Sequence, residues 1–213
     1  MTIRVLLADD HPVVSDGLRA LIEAQPDLEV VGVAHNGHDA VALARRLDPD
    51  VVVMDHSMPE MNGTEAARMI KNRSPETQVV MLSMHANSVH AHRALQAGAS
   101  GYVVKQASGA QVVDAIRAVV AGRRYVSESI AAELLNEIGS EAPHDPLDGL
   151  SARERQVLQM LAEGKSVSTI AITLSLSPKT VETYRGRLME KLGLENIVAL
   201  VRFAVQHRLI SFE

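Results

Sequence analysis

The sequence predicts an α/β domain on a doubly wound, parallel five-stranded sheet, followed by a second, smaller all-α domain of four helices. Three observations carry this. Short Val-, Ile- and Leu-rich runs alternate with helix-period segments through residues 1–126. From Ser151 onward there is no strand pattern, only repeated helix-start signals. Between the two lies Gly139-Ser140-Glu141-Ala142-Pro143-His144-Asp145-Pro146, with the composition of a linker. The domains are therefore placed at residues 1–126 and 150–213, with a helix and acidic linker over 127–149.

Ile3 to Ala8, Leu28 to Val33, Val51 to Met54, Gln78 to Leu82 and Gly101 to Val104 have strand length and β-branched content. The segments between them place apolar residues three and four apart, as in Leu18, Leu21 and Ile22, or Ala66, Met69 and Ile70. A helix opening at a Ser108–Gln111 capping box buries Val112, Ile116 and Val119. Ser127 to Ile138 is expected to form one more helix, with Ile130, Ala131, Leu134, Leu135 and Ile138 on one face. Ser151 and Glu154 form the capping box of the next. Further helices cover Val167 to Leu174, start at Ser177-Pro178, and start at Asn196.

With 46% hydrophobic and 22% charged residues, the composition is that of a soluble globular protein. The absence of cysteine removes disulfides, thiolate nucleophiles and Cys-based zinc sites, and suits a cytoplasmic location. No apolar run reaches the roughly 18 to 20 residues of a membrane helix, and Asp9 and Asp10 stand where a signal peptide would still be apolar. Neither export nor membrane insertion is expected. Charge is uneven: residues 1–126 carry 12 Lys/Arg and 14 Asp/Glu, residues 127–149 none and 6, and residues 150–213 carry 9 and 6. Only the C-terminal part has the sign that suits nucleic acid.

Open parallel sheets bind ligands beyond the carboxyl ends of their strands. Asp9 and Asp10 follow the first strand, Asp55 the third, Ser83 the fourth and Lys105 the fifth. Three carboxylates at one edge raise one another's pKa unless a cation sits among them, and an all-oxygen set favours Mg²⁺. Phosphoryl chemistry follows: Asp55 as nucleophile would become an acyl phosphate, with Lys105 neutralising the transferred group and Ser83 donating to one of its oxygens. Isolated strand-end residues of these types are ordinarily caps and turns; it is their combination and order that carry the reading. Nine histidines raise the question of a transition metal, but His90 and His92, two apart on a helix, point to different faces.

Asp9-Asp10-His11-Pro12, Asp55 with Met58-Pro59 and Asn62-Gly63, Ser83, and Gly101-Tyr102-Val103-Val104-Lys105 resemble the receiver domain of bacterial two-component response regulators. The resemblance implies a flavodoxin-like sheet and phosphorylation of Asp55 by a sensor histidine kinase. It also implies Mg²⁺ on Asp9, Asp10, Asp55 and the main-chain carbonyl of Ser57, with Ser83 as switch hydroxyl and Tyr102 as switch aromatic. His56 stands where such receivers commonly carry an apolar residue. Ser57 and His85, two beyond Asp55 and Ser83, are expected to set the lifetime of the acyl phosphate through water's approach.

Thr169 to Leu192 reads as helix, tight turn, helix. In the second helix Val181, Tyr184, Leu188 and Leu192 make the buried stripe. Lys179, Glu182, Thr183, Gly186, Arg187 and Glu190 face outward, as a helix entering a major groove would require. Leu150 to Leu158, Ser177 to Tyr184 and Lys191 to Leu194 are similar to the LuxR/FixJ-type four-helix DNA-binding domain, so the whole chain resembles the NarL/FixJ-type response regulators. By that resemblance Pro178 to Leu192 is the recognition helix. Thr180, Thr183 and Arg187 would then contact bases or phosphates, Lys179 and Arg185 clamp phosphates, and Glu182 accept from cytosine N4. The family's usual scaffold-helix lysine is replaced by Ser168, and the resemblance implies that part of the fourth helix would supply a dimer seam.

The function expected is that of a phosphorylation-dependent transcription regulator rather than an enzyme, with a sensor histidine kinase and double-stranded promoter DNA as partners and a homodimer on activation. Phosphate on Asp55 would draw Ser83 and Tyr102 inward, and the acidic linker could hold the basic domain back until then. A haloacid-dehalogenase-type phosphatase also uses a strand-end Asp, but needs a second Asp where Ser57 stands. A regulator acting by phosphate-independent dimerisation or protein binding is the alternative.

Overall fold

The computed structural model describes residues 2–84, 88–106, 109–137, 146–207 and 209–210. The chain divides into two compact units, Met1–Ala142 and Pro143–Glu213.

In the first unit, β1 (Ile3–Ala8), β2 (Leu28–Ala34), β3 (Val51–Asp55), β4 (Gln78–Ser83), β5 (Gly101–Val104) and β6 (Tyr125–Val126) form one sheet in the order β2-β1-β3-β4-β5-β6. Every adjacent pair is parallel. The helices are α1 (Pro12–Glu23), α2 (Gly37–Leu47), α3 (Gly63–Arg73), α4 (Ser88–Gln96), α5 (Gly109–Val120) and α6 (Glu128–Glu137). Strand alternation splits the core into two layers. Leu6, Ala8, Met54, Met81 and Tyr102 pack with α2, α3, α4 and Ile130 of α6, whereas Val5, Leu7, Val53, Leu82 and Val103 pack with Ile22 of α1 and with α5. Strands buried on both faces explain why these segments read as continuous apolar runs.

The sheet has six strands, not the five expected. Tyr125–Val126 is too short to show a period of two, and only its pairing with Gly101 and Tyr102 of β5 makes it a strand. The following helix joins the same unit: Ile130 is fully buried and Leu134 packs on the same layer. Ser127 ties this segment to β5, its amide donating to the Tyr102 carbonyl (3.0 Å) and its Oγ accepting from the Val104 amide (3.1 Å). The expected Ser108 cap, His85, Ile138 and the linker over 139–145 lie outside the described residues.

The second unit opens with a 3-10 turn, Pro146–Gly149, followed by α7 (Ala152–Ala162), α8 (Val167–Leu174), α9 (Pro178–Leu192) and α10 (Ile197–Gln206). Ser151, Ser166, Ser177 and Asn196 cap these four helices, each side chain accepting from the amide three residues on. At Ser151 the capping box is complete. Leu158, Ile170, Val181, Leu188 and Leu200 fill the core. Lys191 Nζ reaches back from the last turn of α9 to Glu154 Oε2 (2.7 Å) and the Gly149 carbonyl (3.1 Å). Those contacts fix α9 against the start of α7.

Candidate functional site

The parallel sheet brings the ends of β1, β3, β4 and β5 to one edge, and the polar residues gather there. Asp55 and Ser83 are the last residues of β3 and β4 rather than the first beyond them, and both are buried. Asp9, immediately after β1, is 1% exposed, whereas Asp10 is half-buried. Lys105 Nζ lies 2.7 Å from Asp9 Oδ2 and 3.0 Å from Asp55 Oδ1, while its amide donates to the Ser83 carbonyl (2.7 Å). One ammonium therefore bridges two of the three carboxylates.

The loop beyond β3 is held by its backbone. The His56 amide donates to the Leu82 carbonyl (2.8 Å), and the Gly63 amide donates to the His56 carbonyl (2.9 Å). A Cβ on Gly63 would come within 2.0 Å of the Asp55 carbonyl oxygen, so only glycine lets the start of α3 pass this close behind Asp55. Glu60 adopts the left-handed region (φ 67°) where the Met61 amide turns back to the Pro59 carbonyl (2.7 Å). This turn buries Met58 and Met61 on either side of it.

Burial, reinforced by Asp9 and Asp10, pushes the Asp55 carboxyl up to about 6 against the opposing pull of Lys105. Burial also works against the charged form of Lys105, but Asp55 and Asp9 outweigh it and raise its pKa. Asp10 Oδ1 is buried and accepts no hydrogen bond. Oxygen atoms of Asp9, Asp10 and Asp55 and a ring nitrogen of His11 lie within 4.8 Å of one another. An orphaned carboxylate oxygen among like charges is what a divalent cation would satisfy, so these residues fit the Mg²⁺ that the sequence suggests.

Ser57 is exposed in the loop beyond Asp55. Ser83 and Tyr102 are buried, Tyr102 completely. His56 Nδ1 is 3.3 Å from Thr64 Oγ1, and its ring meets that of His90 edge-on at 4.6 Å. His92 instead faces Gln96 (2.9 Å). His11, at the N-cap of α1 directly after Asp10, places its Nδ1 2.9 Å from Asp10 Oδ1, a neighbour of the carboxylates that the sequence reading did not single out.

In the second unit, Val181 and Leu188 of α9 are buried while Lys179, Glu182, Thr183, Gly186 and Arg187 are exposed. Thr180 and Arg185 are half-buried. Thr180 is tied to the Ser177 cap (Oγ···Oγ1 2.8 Å), Thr183 Oγ1 donates to the Lys179 carbonyl (2.9 Å), and Arg185 Nη1 lies 3.6 Å from Glu182 Oε2. Nothing stands within 4 Å of a Cβ built on Gly186. Ser168, in the scaffold helix, is exposed.

Two family models match in tandem: the response regulator receiver domain over residues 5–117, and the bacterial regulatory proteins of the luxR family over residues 148–204. The chain belongs to the NarL/FixJ-type two-component response regulators, a receiver domain followed by a LuxR-type helix-turn-helix DNA-binding domain. It is 41% identical over 212 residues to response regulator UvrY of Escherichia coli K12, covering 99% of this chain and 97% of that protein. It is 42% identical over 210 residues to response regulator GacA of Pseudomonas aeruginosa, covering 98% of each. Among solved structures, a LuxR-family two-component response regulator from Aurantimonas aligns with TM-score 0.63 and 42% identity over 66% of this chain and all of that one. The response regulator RcsB in complex with DNA aligns with TM-score 0.61 and 29% identity over 96% and 98% of the two chains.

Proposed function

We propose that this chain is a phosphorylation-controlled transcription regulator in which a sensor histidine kinase phosphorylates Asp55 and the modified protein binds promoter DNA as a homodimer in the cytoplasm. The observation that carries the reading is the placement of Lys105 between Asp9 and Asp55 at the carboxyl edge of the sheet. Residues 1–126 receive the phosphoryl group, residues 150–213 bind DNA, and residues 127–149 connect them.

An Asp55 carboxylate oxygen attacks phosphorus, a P–O bond forms, the P–N bond to the donor imidazole breaks, and that nitrogen leaves with the electron pair. Asp9, Asp10, Asp55 and the Ser57 carbonyl are the groups that would hold Mg²⁺, which would supply charge neutralisation at the transferred group. Lys105 holds the nucleophile in place and offers its ammonium to a phosphoryl oxygen. Ser83 Oγ donates to another, and the buried Tyr102 maintains the packing beside it. Ser57 and His85 govern the approach of hydrolytic water.

On the DNA side, α9 is about 22 Å long and presents Lys179, Thr183 and Arg187 outward, which suits a major groove. Thr180 joins them at the helix start. Arg185 clamps a phosphate and Glu182 accepts from a base, once their mutual ion pair opens. The RcsB–DNA complex, a relative of 29% identity, supports DNA as the partner.

Intact-mass measurement of the full chain with a small-molecule phosphodonor, with and without Mg²⁺, tests the reading. A single Mg²⁺-dependent phosphoryl adduct, abolished in Asp55→Asn, is expected. DNA affinity that is identical before and after treatment would instead mark a phosphate-independent regulator.

A further inference from the structure

An open groove of about 580 Å³ lies between α2 and α3, within the range of small-molecule sites. Its floor is Val41, Met61 and Met69, and it is flanked by Arg45, Arg46 and Arg73. Val41 and Met61 are buried and Met69 is half-buried. The floor is fixed by close backbone approach: a Cβ on Gly37 would come within 2.3 Å of the Met61 carbonyl oxygen, so only glycine lets α2 begin against the turn that carries Met61. Asn36 and Asn62 cap the two helices, each side chain accepting from the amide three residues on. The walls therefore offer side chains, not main-chain donors, to an occupant.

Those side chains carry one sign of charge. Arg45, Arg46 and Arg73 are exposed, and among the described residues none of the three guanidiniums forms an ion pair or a hydrogen bond. No described carboxylate lines the groove. All three arginines stand in the last turns of α2 and α3, where each helix dipole places about half a negative charge. Two helix ends offset about one of the three positive charges, which leaves an excess of about two for a ligand.

The two kinds of lining select different parts of one molecule. Guanidinium forks pair with phosphate oxygens two at a time. The thioethers of Met61 and Met69 favour contact with an aromatic ring. An extended peptide, by contrast, binds through main-chain partners that helical walls do not supply.

We propose that the groove between α2 and α3 binds a nucleoside diphosphate, its base against Met61 and Met69 and its phosphates on Arg45, Arg46 and Arg73. The site uses none of the residues assigned to phosphorylation at Asp55.

The test is titration of the full chain with ADP, followed by nuclear magnetic resonance of ¹³C-labelled methionine methyls. Chelator is present throughout, so that the carboxylates at the sheet edge take up no metal–nucleotide complex. Met61→Leu and Met69→Leu assign the two signals. Saturable shifts at both methyls, with one ADP per chain, are expected. Arg45→Gln combined with Arg73→Gln should weaken binding about tenfold or more while leaving the thermal midpoint unchanged, because both side chains are exposed. Inorganic tripolyphosphate that binds as tightly as ADP without moving either methyl overturns the nucleotide and leaves an anion groove alone. A glutamate-rich peptide that displaces ADP at equal affinity assigns the groove to an acidic protein segment and equally overturns it. Absence of any shift, or shifts that survive the double arginine substitution, removes the site.

Discussion

Ser127 Oγ accepts a hydrogen bond from the amide of Val104, the residue immediately before Lys105. The same serine's amide donates to the Tyr102 carbonyl, so two alternate positions of β5, Tyr102 and Val104, are pinned by the residue that precedes α6. The strand that leads into Lys105 is thereby joined directly to the start of α6.

Removing the hydroxyl in Ser127→Ala leaves the Val104 amide buried without its acceptor, which costs about 1–3 kcal/mol. Urea denaturation of the first unit should show a loss of that size. Backbone amide shifts at Val104 and Lys105 should move with it, whereas a purely local effect would stay within α6.

Asp55 should make the metal-free protein less stable as pH rises. Its folded pKa, raised to about 6 chiefly by burial, lies above the 3.8 of an ordinary Asp, so the folded chain binds the proton more tightly. Stability is highest below about 4, falls as pH rises through about 6 and is level beyond. Asp55→Asn is therefore expected to raise unfolding free energy in chelator at pH 7.5 by on the order of 2 kcal/mol, with the gain fading toward pH 4. Denaturation curves at the two pH values check this; a gain independent of pH would refute burial as its cause.

Glu154 has the opposite sign. Burial works against its ionisation, but Lys191 and Ser151 outweigh it and lower its pKa. Its contribution is present above the ordinary glutamate value of 4.5 and is lost as pH falls below it. Glu154→Gln keeps an acceptor for the Ser151 amide but drops the charge facing Lys191. The helical unit of the variant should lose stability at pH 7 and show a weaker dependence between pH 3 and pH 6, followed by methyl resonances of Leu158 during denaturation.

Gly186→Ala should stabilise the second unit by roughly 0.5–1 kcal/mol, because a mid-helix glycine is penalised and the added methyl meets nothing within 4 Å. If α9 lies in a groove with its backbone close to DNA at this point, affinity falls even as stability rises. Thermal unfolding and a DNA titration on the same preparation separate the two effects.

The sheet was legible because its strands are apolar on both faces, and the helices because their stripes recur every three or four residues. The ends of the strands were less so: Asp55 and Ser83 look like loop residues by polarity but complete the ladders of β3 and β4. The two-residue β6 carries no period to read. The Lys191–Glu154 pair depends on turns of chain that bring distant groups together, which spacing along the sequence does not encode.

The brevity of β6 has a further consequence. An exposed strand edge is a template on which another chain can add, and β5, without a neighbour, would offer one beside the residues that carry the chemistry. Tyr125–Val126 occupies that edge at Gly101 and Tyr102 and then gives way to α6, leaving an outer edge only two residues long. The sheet is thus shielded at this edge from indiscriminate extension by another chain.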